Sequence, residues 1–220
     1  MADMLLGGIV INEILVDPNG AMNFDTDGNG TADAMDEYVE LYNDSSSAID
    51  ISGLELRDAG VGNWFTFPPG TILQPGAHAM VMSGVQSGGS LPTGGTDDLF
   101  FDAGRGSPLI NNGGDNVILY DPTNDEYIQA TFNGDAQDDP TLGAGGYSGF
   151  SATAAKVGTG EDFGNDTDGQ SLQRDATERI PLSMGHPRRG PRTSVSRAAR
   201  TLPCPTANEW WKSFPSVIWY

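Results

Sequence analysis

Glu37-Tyr38-Val39-Glu40-Leu41-Tyr42 alternates polar or aromatic residues with aliphatic ones and puts Val39 and Leu41 on one face. A period of two is the signature of a strand with one face turned to a core. Upstream, Ile9-Val10-Ile11-Asn12-Glu13-Ile14-Leu15 reads as a partner strand. Downstream come Ile49, Ile51, Leu54 and Leu56, with Gly53 among them expected as a bulge. Trp64-Phe65-Thr66-Phe67 then stops at Pro68-Pro69-Gly70, and Gln74-Pro75-Gly76 turns into a strand at 77–82. Asn111-Asn112-Gly113-Gly114-Asp115 precedes Val117-Ile118-Leu119-Tyr120, and Asp121-Pro122-Thr123-Asn124-Asp125 turns into 127–132. Short strands separated by turns, with no helical period anywhere, predict an all-β, antiparallel β-sandwich. The Gly-rich stretch 142–164 is expected as a long surface loop, and Trp64, Phe65 and Phe67 as core.

Composition narrows the function classes. Gly (30) and Pro (14) make up a fifth of the 220 residues, which suits many turns, and 37% hydrophobic residues suffice for a two-sheet core. Thirty acids against eleven bases give a net charge of −19, and the acids are 22 Asp and only 8 Glu. Asp belongs in turns and oxygen-ligand metal sites, whereas Glu favours helical surfaces. A surface this negative repels phosphate backbones and anionic bilayers, so no nucleic-acid partner and no membrane insertion are expected. High Asp with two Lys also suits a salt-loving organism. The single cysteine, Cys204, excludes an internal disulfide. Residues 1–8 have neither the basic start nor the apolar run of a secretory signal.

The charge reverses near residue 180. Residues 1–180 carry 29 acids and 5 bases (−24), whereas 181–220 carry 1 acid and 6 bases (+5). The basic segment, with Pro187-Arg188-Arg189-Gly190-Pro191-Arg192 and Trp210-Trp211, shows no period. The division expected is a sandwich over 1–180 followed by an unstructured or non-native tail over 181–220, the functional alternative being a basic arm for an acidic partner.

An ordered set of pieces resembles the lamin-tail domain: Ile11-Asn12-Glu13-Ile14-Leu15, then Asp36-Glu37-Tyr38-Val39-Glu40-Leu41-Tyr42-Asn43, then Ile51-Ser52-Gly53-Leu54-Glu55-Leu56-Arg57-Asp58. Phe67-Pro68-Pro69-Gly70, Gln74-Pro75-Gly76, Asn112-Gly113-Gly114-Asp115 and Ser171-Leu172-Gln173-Arg174 follow in the family's order. The resemblance spans about 9–180 and implies an immunoglobulin-like sandwich without catalytic residues of its own. It also implies an extracellular or cell-surface binding or structural module, engaging a protein partner or copies of itself. The alternative is an accessory domain of a secreted hydrolase or nuclease.

Asp25-Thr26-Asp27-Gly28-Asn29-Gly30-Thr31-Ala32-Asp33-Ala34-Met35-Asp36-Glu37 begins like an EF-hand-type loop. Ca²⁺ takes six to eight oxygens. Asp25, Asp27 and Asn29 are expected to offer side-chain oxygens, Thr31 its carbonyl and Asp33 a further ligand. Asp36 stands where the loop usually carries a bidentate Glu, and Glu37 is the neighbour able to substitute. The groups Asp162, Asn165, Asp166, Asp168 and Asp135, Asp138, Asp139 lack that spacing and read as solvated loops. Serine-hydrolase elbow, Walker loop and dinucleotide fingerprint are missing, and the two histidines, His78 and His186, have no identifiable nucleophile, so no catalysis is expected.

Overall fold

A computed structural model describes residues 2–20 and 23–174 and the backbone of 182–185. Its strands are β1 (Ile9–Leu15), β2 (Tyr38–Asn43), β3 (Ile49–Asp50), β4 (Glu55–Asp58) and β5 (Gly62–Thr66). Then come β6 (Ile72–Leu73), β7 (His78–Met82), β8 (Leu99–Asp102), β9 (Asn116–Asp121) and β10 (Glu126–Thr131). The short β11 (Ala155–Lys156) and β12 (Glu161–Asp162), then β13 (Ser171–Arg174) and β14 (Leu182–Gly185), complete the chain order. One sheet runs β14-β13-β1-β2-β7-β8 and the other β11-β10-β9-β4-β5, with β12 also on β10 and β3 paired to β6. Among the described residues there is no α-helix, and three short 3-10 turns lie at 34–36, 140–142 and 145–147.

The hydrophobic alternation produces the sandwich directly. Ile9, Ile11, Ile14, Val39, Leu41, Ala79 and Val81 of the first sheet meet Leu56, Trp64, Val117, Leu119, Ile128 and Ala130 of the second in one buried core, to which Phe67 also belongs. Each fully buried aliphatic side chain contributes roughly 1.5–3 kcal/mol before entropy is counted. In β1 the spacing from Ile11 to Ile14 breaks strict alternation. A bulge between Ile11 and Glu13 absorbs the extra residue and returns Ile14 to the core.

Several expectations need correction. Gly53 is a turn residue with φ 79° between β3 and β4, not a bulge, because Asp50 and Ser52 cap a local turn there. The sheets are mixed: β8 pairs parallel to β7, and β11 and β12 pair parallel to β10. The 142–164 stretch is partly packed. Tyr147 and Phe150 bury against Ile118, Tyr120 and Tyr127 on the outer face of the second sheet, because alternation there leaves an apolar outer face to be covered. The first sheet extends past residue 180, since β14 pairs with β13 from Ser171↔Gly185 to Arg174↔Leu182. The rest of the proposed basic tail lies outside the described residues.

A second apolar group sits on the outer face of the first sheet. Leu15, Tyr38, Met80 and Met82 pack there with Phe24, Leu91 and Phe100. Phe24 and, from the segment joining β7 to β8 (residues 83–98), Leu91 cover it. A parallel pair needs a connection that returns along the sheet, and this one does so over the outer face.

Candidate metal centre

The Asp-rich loop enters from Phe24, one of the outer-face apolar residues, and leaves through the 3-10 turn at 34–36 into β2. Asp33 caps that turn: its side chain accepts the Met35 N–H at 2.8 Å, and Asp36 Oδ2 reaches back to the Asp33 N–H at 3.0 Å. The reciprocal pair is a capping box that fixes the last turn of the loop.

Asp25, Asp27 and Asp36 each turn one carboxylate oxygen to a common place, all within 4.8 Å of one another. A Ca²⁺ ion with ligands at 2.3–2.6 Å holds its oxygens at most about 5 Å apart, so this separation fits the ion. Asp27 and Asp36 are 4% and 1% exposed. Asp36 Oδ1 also accepts the backbone N–H groups of Thr26 (2.7 Å) and Asp27 (3.0 Å), which wraps the loop around it. Burial nonetheless raises the Asp36 pKa, with its backbone hydrogen bonds opposing and the charge of Asp27 adding to the rise. Asp25 Oδ1 is shut off from solvent and accepts no hydrogen bond, while its other oxygen takes the Gly30 N–H at 2.8 Å. An orphaned carboxylate oxygen inside a trio of carboxylates is the place where a hard cation would supply the missing partner.

The other expected ligands are placed differently. Asn29 Oδ1 accepts the Thr31 N–H at 2.7 Å, and Asn29 Nδ2 donates to Asp27 Oδ2 at 3.3 Å, so both residues belong to the wall of the loop. Asp33 stands outside the trio, engaged by Met35 and by Gln86 Nε2 at 3.0 Å. Glu37 does not reach the centre. Its Oε2 accepts the backbone N–H groups of Leu109 (3.1 Å) and Ile110 (3.0 Å) and is 3.4 Å from Ser83 Oγ. Strand alternation sends Glu37 to the opposite side from Asp36, and the unpaired amides of the 109–110 segment capture it. Burial, against those hydrogen bonds, pushes its pKa up to about 7.

Gln86 is the residue that local spacing could not reveal. Its N–H donates to Asp27 Oδ2 at 2.7 Å across 59 positions of chain, and its Oε1 accepts Asn29 Nδ2 at 2.5 Å.

The remaining candidates are dispersed. Asp162 accepts the Gly164 N–H and Asp166 pairs with Asn133, so they line separate loop turns. Asp135 and Asp138 lie with Asp115 around an open cavity of about 480 Å³, also lined by Leu109 and Ile110. His78 is 3.3 Å from Asp98 Oδ1 and 4.0 Å from Glu40 Oε1 and lies on the Tyr42 ring, held as a structural residue would be. His186 lies outside the described residues.

No curated protein and no solved structure matches the chain. The Lamin Tail Domain family model matches residues 5–134, from the approach to β1 through the end of β10, and β13 joins the same sheet beyond that match. A match over more than half of the 220 residues, on a sandwich of this form, means that the chain belongs to the lamin tail domain family, an immunoglobulin-like family.

Proposed function

We propose that this domain is a non-catalytic, extracellular or cell-surface binding or structural module, stabilised by one Ca²⁺ ion and engaging a protein partner or a second copy of itself. The observation that carries the reading is the convergence of Asp25, Asp27 and Asp36 within 4.8 Å, two of them buried. Asn29, Thr31 and Asp33 form the wall around that centre, and the ion would offset most of the trio's negative charge and pin the loop to the start of β2. Hard oxygen donors suit Ca²⁺, and extracellular modules bind it at ~10⁻⁴–10⁻³ M.

A ligand that binds only the folded state adds RT ln(1 + [L]/Kd), so millimolar Ca²⁺ adds roughly 1–2 kcal/mol. Melting is compared with Ca²⁺ and with chelator at constant ionic strength, which holds general screening of the −19 charge fixed. Chelation lowers the melting temperature, and Asp25→Ala with Asp27→Ala abolishes the response. A full calcium response in the double variant would place the ion elsewhere and sink the reading.

A further inference from the structure

Asp27 serves two structures at once. Its carboxylate belongs to the buried trio, and it is also the anchor of the 83–98 crossover. Asp27 Oδ2 accepts the Gln86 N–H at 2.7 Å, and its backbone carbonyl accepts the Ser90 N–H at 2.8 Å. Gln86 completes the attachment with its side chain, donating to Asp33 Oδ2 at 3.0 Å and accepting from Asn29 Nδ2 at 2.5 Å. The approach is close enough that a Cβ at Gly89 would lie 2.3 Å from Asp27 Oδ2. A little further on, Leu91 packs over the outer-face apolar group, together with Phe100 of β8. Among the described residues β8 pairs with β7 alone, so this edge strand is held by β7 and by the crossover that feeds it.

We infer that Gln86 is a positioning residue that couples cation occupancy of the Asp25–Asp27–Asp36 centre to closure of the 83–98 crossover over the outer face of the sheet. The inference rests on the calcium reading above. Without a cation, three carboxylates within 4.8 Å repel, two of them with little access to water. Asp25 is half-buried and takes one hydrogen bond, and Asp36 is tied by three backbone N–H groups. The repulsion between the two buried members therefore bears on Asp27, whose carboxylate is held by Asn29 and Gln86. Moving it breaks the Gln86 and Ser90 attachments together and frees the crossover. A bound cation removes the repulsion and holds Asp27 where both attachments form. The cation thus decides whether the apolar outer face and the β8 edge are covered. Glutamine suits the position because one neutral amide both donates to Asp33 and accepts from Asn29. A carboxylate there would add a charge to the trio.

The test is amide hydrogen exchange of residues 84–98 in the full chain, with and without Ca²⁺ at constant ionic strength, beside calorimetric titration of Ca²⁺. In the wild type Ca²⁺ slows exchange across the crossover by about tenfold, within the range of ordinary allosteric coupling. Gln86→Ala keeps the backbone N–H on Asp27 Oδ2 and loses the side-chain ties to Asp33 and Asn29, so calcium still binds, a few-fold more weakly by reciprocity, and the slowing shrinks to a few-fold. Gln86→Glu keeps the side-chain length but loses the donor to Asp33 Oδ2, so it too shows a smaller calcium-dependent slowing than the wild type, and it carries the test should the alanine variant fail to fold. If titration detects no Ca²⁺ binding to the wild type, the functional reading itself fails. If Ca²⁺ binds while exchange at 84–98 is unchanged, or slows equally in Gln86→Ala, the coupling through Gln86 is overturned and the calcium reading stands.

Discussion

Glu37 Oε2 accepts the backbone N–H of Ile110 at 3.0 Å, joining the first residue after the Asp-rich loop to a segment 73 positions away. The same oxygen takes the Leu109 N–H at 3.1 Å, and the side chain is fully buried. One carboxylate therefore satisfies two amides that no strand ladder reaches, and it ties the loop preceding β9 to the start of β2.

Removing that carboxylate strands both amides. Glu37→Ala is expected to destabilise the domain by roughly 2–4 kcal/mol, the cost of buried unsatisfied donors plus a cavity. Glu37→Gln keeps one acceptor oxygen and loses distinctly less. Chemical denaturation of the two variants measures the difference, and equal losses would count against the double-acceptor role. Calcium binding is unaffected by Glu37→Gln, since this side chain stands apart from the trio.

Asp36→Glu would restore the residue that EF-hand-type loops usually carry at this place. Here the change is expected to weaken calcium binding. Asp36 accepts backbone N–H groups of Thr26, Asp27 and Asp33 at 2.7, 3.0 and 3.0 Å, and one more methylene displaces all three. The expected cost to folding is about 1–3 kcal/mol, with a weaker calorimetric affinity for Ca²⁺. A tighter site would show that loop wrapping does not depend on those bonds.

Asp115 carries a pH prediction. Burial pushes its carboxyl up to about 6, with Asp58 and Asp135 adding to the rise. The folded state thus holds a proton that the unfolded chain has released between about pH 4 and 6, so stability falls as pH rises through that window. Asp115→Asn removes the titration and should flatten the decline by roughly 1–2 kcal/mol, allowing for partial exposure. Denaturation at pH 4.5 and 6.5 reads it directly, and an unchanged slope would assign the titration to another group. The window is best measured in chelator, which keeps calcium linkage out of the comparison.

His78 has no role in turnover in this reading. The purified domain is expected to show no hydrolysis of nucleic acid, phosphoester or glycan substrates, and His78→Ala to change nothing but stability. Its ring lies between Asp98 and Glu40, so the substitution costs about 1 kcal/mol in folding. Reproducible turnover abolished by His78→Ala would overturn the non-catalytic assignment.

Strand positions and one face of the core follow from local rules. Alternation at Val39 and Leu41, and Pro-Gly or Asn-Gly turns, act over a few residues, because covalent geometry alone sets which side chains share a face. The Asp-x-Asp-x-Asn-Gly spacing likewise brings Asp25 and Asp27 to one side of a tight loop before any tertiary contact forms. What spacing could not determine was where two adjacent carboxylates would end. Asp36 turns back to the amides of its own loop, and Glu37 crosses to amides more than seventy residues away. That choice depends on which buried N–H groups the rest of the fold leaves unpaired. The parallel placement of β8 is of the same kind, because an isolated Leu-Phe-Phe run carries no information about strand direction. Gln86 enters the centre only because that parallel pairing draws the 83–98 segment back across the sheet, onto a loop 59 positions earlier in the chain.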